Sequence, residues 1–146
     1  MKKYLLLLIV ICLFITALAG CKEAFDMDKC IEKLKAKGLT EGICYITEEE
    51  CARATSLTNS EITFMGGDFT VEITKDYSLI ENGDYSKSCT FITFATEEQA
   101  TKFAELKIAD FAKVGNYNNW KIAHSDCTVV LTNLEVALKN IPLDFK

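Results

Sequence analysis

The residues that most restrict what this chain can fold into are its first ones. Lys2 and Lys3 precede an almost unbroken apolar run from Tyr4 to Ile15, and the side chains then shrink at Ala17, Ala19 and Gly20. About 16 apolar residues fall short of the roughly 20 that span a hydrocarbon core. Charge, apolar segment and small residues in that order form the pattern of a secretory signal peptide. In a chain of 146 residues, the portion beyond residue 20 has room for one small domain with one core, not two. The single proline and seven glycines argue against a disordered or low-complexity linker.

Leu18-Ala19-Gly20-Cys21 closes the apolar run. This stretch resembles the lipobox of bacterial lipoproteins, and the resemblance covers residues 1–21 alone. It implies cleavage before Cys21, a diacylglyceryl group on the Cys21 sulfur, and a place at the outer face of a bacterial cell membrane or outer membrane. One acyl chain anchors a protein marginally, whereas two or three hold it durably. The expected organisation is a signal peptide over 1–20, a tether over 21–25 carrying the lipidated Cys21, and one domain over 26–146. So short a tether spans on the order of 15 Å, which keeps the domain near the bilayer.

Charge narrows the partners. Without Lys2 and Lys3, the 16 basic residues become 14, and against 21 acids the mature part carries −7. Such a domain repels phosphate backbones and anionic headgroups. Nucleic acid is therefore excluded as a partner. Membrane attachment is expected through the lipid on Cys21, with an unknown protein or small ligand as the domain's own partner.

Helical spacing of Met27, Cys30, Ile31 and Leu34 predicts a helix over 27–37, stopped by Gly38. A short strand over Ile43–Ile46 precedes the capping-box pattern Thr47…Glu50 and a helix to about Leu57. Gly66-Gly67 sits between Ile62–Met65 and Asp68–Ile73, in a register that pairs Phe64 with Phe69 and Ile62 with Val71. This predicts a hairpin. Asn82-Gly83 marks a second turn after a strand over Tyr77–Glu81. From Cys89 the pattern is strand, helix from a Thr96 cap to Gly115, a hairpin around Ser125-Asp126, and a last helix capped by Thr132 and Glu135. The expected class is α+β: an antiparallel sheet with helices packed on one face, like part of a ferredoxin-like fold in the C-terminal half.

Candidate chemistry is sparse. Five cysteines lie beyond Cys21. Cys44 and Cys51 flank a strand-to-helix corner and form the candidate disulfide. Cys30 and Cys127 read as small core residues. Cys89 and Cys127 begin strands that a ferredoxin-like order makes adjacent and antiparallel, too far apart to bridge. No CxxC, HExxH or CxxCH motif occurs, so no metal or other cofactor is expected. His124 is the only histidine, near a hairpin end, and no nucleophile motif accompanies it. No catalytic residue is expected. The remaining candidates are Tyr117 and Trp120, set among Asn116, Asn118 and Asn119, where rings and amides suit a sugar or peptide. Against this stands a plainer use of Trp120 as a core anchor. A non-catalytic binding domain is the leading expectation, and an accessory or structural subunit of a cell-envelope complex is the alternative.

Overall fold

A computed structural model describes residues 24–115 and 119–146; Cys21 and Tyr117 lie outside the described residues. The first helix, α1 (Met27–Ala36), starts where the Asp26 side chain accepts from the Lys29 N–H at 3.1 Å, and it buries Cys30, Ile31 and Leu34. Strand β1 (Thr40–Tyr45) comes next. Its register shifts between Glu41 and Cys44 as it pairs with β2 (Ile73–Glu81). Lys35 of α1 and Tyr77 of β2 both bond the Glu41 carboxylate, which ties helix to sheet on an exposed surface.

Between these strands runs α2 (Glu48–Phe64), whose capping box joins Thr47 and Glu50 as expected. The helix does not stop near Leu57, and the expected hairpin over Ile62–Ile73 does not form. Gly66, at φ +86°, donates to the Thr63 carbonyl, and Gly67 donates to that of Ile62. This pair of bonds is the Schellman closure of a helix, which needs a left-handed residue where Gly66 stands. A Cβ on Gly67 would lie 2.6 Å from the Ile62 side chain. The two glycines thus end a helix instead of turning a hairpin. Tertiary packing overrides the β preference of Ile62 and Thr63, because Ile62 is wholly buried beneath the helix. The segment after Gly67 takes its backbone partners from α2 side chains. Asn59 accepts from the Val71 N–H at 2.8 Å and donates to its carbonyl at 3.0 Å, while the Thr55 hydroxyl accepts from the Ile73 N–H.

The Asn82-Gly83 turn forms as expected. Both residues have positive φ, which matches the twist of a tight hairpin into β3 (Asp84–Phe94). Helix α3 (Glu97–Val114) begins at a Thr96 cap and ends at Gly115. Strands β4 (Lys121–Ser125) and β5 (Thr128–Thr132) form the last hairpin. The final helix, α4 (Glu135–Asn140), is short and has no side-chain cap. Thr132 does not cap it, since its hydroxyl is engaged with the Ser88 carbonyl and the Leu134 N–H.

The sheet has five strands in the order β1-β2-β3-β5-β4, every neighbour antiparallel. The α+β class is as expected. In the C-terminal half β5 lies between β3 and β4, as in half of a ferredoxin-like sheet. The helices, expected on one face, cover both. Ile92, Phe94, Val129 and Leu131 point toward α2 and α3, while Leu79, Cys89, Phe91 and Val130 point toward α1 and α4. The reason lies in β3 and β5, which are apolar at consecutive positions, and a strand buried on both faces needs a helix layer over each. Phe94 and Phe103 meet across the first layer with ring centroids 5.1 Å apart. Burying each such ring is worth about 1.5–3 kcal/mol. The outer edge of β4 is covered as well, because Ile122 exchanges two backbone hydrogen bonds with Lys146.

Candidate functional site

The sites expected from sequence fare differently. No disulfide joins the described cysteines. Cys44 pairs in register with Tyr77, whose ring packs on the α1 side, whereas Cys51 lies on α2 over the other face. The sheet separates them, which is why the expected Cys44–Cys51 bridge is absent. The Cys51 thiol instead donates to the Thr74 carbonyl at 3.2 Å. Burial pushes the thiols of Cys44 and Cys51 up, and that of Cys89 to about 12, so all three are protonated and poor nucleophiles near neutrality. Cys30 and Cys89 are core residues. Cys127 precedes Thr128, which faces Thr93, so it lies at the far end of the β3–β5 pair from Cys89.

His124 is exposed on β4. It borders a cavity of about 270 Å³ beside Glu105, Asp144 and Lys146. Among the described residues no cluster of three or more His, Cys, Asp or Glu side chains is arranged to hold a metal ion.

Trp120 has the more informative place. It is half-buried, packs on the core between the sheet, α2 and α3, and lines a cleft of about 340 Å³. The cleft floor comes from Thr90 and Ile92 of β3 and from Leu131 of β5, with Thr90 and Leu131 directly opposed in register. One wall is the stripe Phe103, Lys107, Asp110 and Phe111 on α3, spaced so that all four share one helix face. Glu61, Phe64 and Met65 at the end of α2 supply the other wall. Phe64 is 92 % exposed and forms an apolar lip.

Polar groups in this cleft are few and placed. Lys107 Nζ lies 2.6 Å from Glu61 Oε1, its side chain only 13 % exposed. The same ammonium stands 5.3 Å from the Phe111 ring centroid and 6.0 Å from that of Phe103. The Thr90 hydroxyl shares a hydrogen bond with that of Ser78, at 3.1 Å. An aromatic pocket of this volume with a small number of charged groups has the make-up of a small-molecule site.

A larger groove, of about 940 Å³, runs between Lys37, Lys121 and α4. Two of its lysines are already paired, Lys87 with Glu81 and Lys139 with Glu135.

Of the residues in this cleft, sequence reasoning singles out Trp120 alone and misses Glu61, Phe64, Met65, Phe103, Lys107, Asp110 and Phe111 as parts of one site. The α3 spacing carries a signal for Lys107 and Asp110. No local signal places the α2 residues, because the stretch around Gly66-Gly67 reads locally as a hairpin. Trp120 packs on the core, as the plainer expectation had it, and also lines the cleft. No protein-family model, curated protein or solved structure matches the chain.

Proposed function

We propose that the protein is a lipid-anchored, extracytoplasmic lipoprotein whose α+β domain binds a small ligand without chemical turnover. The observation that carries the binding reading is the cleft between α2, α3 and the sheet, with Trp120 in its wall. The anchoring reading rests on the signal-like residues 1–20 and on Cys21. The acidic mature part adds support, since charge alone would not hold it at an anionic bilayer.

Two experiments test the two halves. Cys21→Ser is expected to abolish lipid labelling and to release the protein or leave its precursor uncut. Unchanged membrane retention of that variant removes the anchoring reading. For the cleft, a photo-crosslinking side chain placed at Phe64 in intact cells is compared with one at Tyr85, which is also exposed but lies on β3. Adducts specific to Phe64 are expected, of low mass for a small ligand. A discrete high-mass adduct there favours the second reading, an accessory subunit of an envelope complex, to which the exposed Phe64 lip is also suited. Equal labelling at the two positions removes the cleft from consideration.

A further inference from the structure

We propose that the cleft takes a small organic ammonium, an aromatic or alkyl body with a positively charged nitrogen head. The proposal rests on the reading of the cleft as the ligand site and adds the charge class of the ligand.

Three ionisable side chains line the cleft, Glu61, Lys107 and Asp110. Glu61 and Lys107 neutralise one another at 2.6 Å. Asp110 has no ion-pair partner among the described residues, so the uncompensated charge in the cleft is negative. The aromatic wall has the same preference. Ring faces attract cations through their quadrupole. Phe103 and Phe111 already hold the Lys107 ammonium over them. Trp120 is the strongest ring of this kind, and among the described residues no cation is seated over it. An incoming ammonium therefore meets an indole and a carboxylate lining one cavity. An anion of equal size would have to displace Glu61 from Lys107 while facing Asp110. A neutral molecule gains the ring contact alone. The long-range field points the same way, because a domain of charge −7 concentrates cations around itself. The volume, near the lower end of the usual range for ligand pockets, limits the guest to a small molecule.

Trp120 is the only tryptophan in the chain, so its emission reports the cleft with no background from other indoles. The mature domain is titrated at low salt with benzyltrimethylammonium, benzyl alcohol and phenylacetate. The cation is expected to perturb the emission at concentrations about tenfold lower than either of the others. Asp110→Asn is expected to bring the cation down to the level of benzyl alcohol, and Asp110→Glu to keep its advantage. Equal affinity for all three probes overturns the ammonium assignment and leaves the cleft reading standing. A cation preference that survives Asp110→Asn unchanged overturns it too. Silence of all three probes overturns the assignment and, joined to equal crosslinking at Phe64 and Tyr85, the cleft reading as well.

Discussion

Asn59→Ala is expected to destabilise the domain by about 2–4 kcal/mol, more than most substitutions of a polar helix residue. The Asn59 amide is the hydrogen-bond partner of both backbone groups of Val71, and Val71 itself is buried. Truncation leaves a buried N–H and a buried C=O without partners, each at the cost of its desolvation. Asn59→Asp retains an acceptor for the N–H but sets a carboxylate against the carbonyl, so it is expected to fall between alanine and wild type. Urea unfolding with an unchanged slope checks both variants. A midpoint for Asn59→Ala equal to wild type would show that α2 does not hold the 68–73 segment as described.

Asp76→Asn carries the second large effect, and it depends on pH. Asp76 lies in β2 between Tyr45 of β1 and Ile92 of β3. Burial pushes its carboxyl from an ordinary 3.8 up to about 6. Cys51 and Cys44 are close enough to feel its charge, and that charge pushes both thiols further up. Between about 4 and 6 the folded protein keeps a proton that the unfolded chain has lost. Stability therefore falls as pH rises through that window and levels off above it. The full shift corresponds to about 3 kcal/mol, and partial exposure of the side chain reduces this to about 1–3 kcal/mol. Asp76→Asn removes the ionised carboxylate. The variant is expected to be more stable than wild type by that amount at about pH 8 and nearly equal to it at about pH 4. Denaturation midpoints of both proteins at the two pH values provide the comparison. An equal difference at both values would mean that the amide acts through packing and not through charge.

These two residues show where sequence reading reaches its end. The elements that are legible are those whose signals are local. Gly38, Thr47 with Glu50, Thr96 with Gly115, and the Asn82-Gly83 turn each fix an element boundary through side chains or φ values within a few residues. The β3-α3-β4-β5 order comes from hydrophobic period and connection length, and the separation of Cys89 from Cys127 follows from the ferredoxin-like arrangement that this order suggests. Gly66-Gly67 misleads because one dipeptide serves two purposes. A left-handed glycine suits a hairpin turn and a helix stop equally well. The strand-like alternation around it favours the first, whereas the burial of Ile62 and the Asn59 bonds to Val71 decide for the second.

The same distinction divides the candidate site. By itself the sequence determined the signal-like N-terminus with Cys21, the negative charge of the chain beyond it, the α+β class and the aromatic weight around Trp120. These depend on order, composition and period, which need no folded neighbour to be read. Only the tertiary structure decided that helices cover both faces, that the sheet keeps Cys44 from Cys51, and that Glu61 meets Lys107 46 residues away in a cleft walled by Trp120. Those outcomes depend on which helix lands on which face, and that choice is made by the whole core at once. No short stretch of chain carries it.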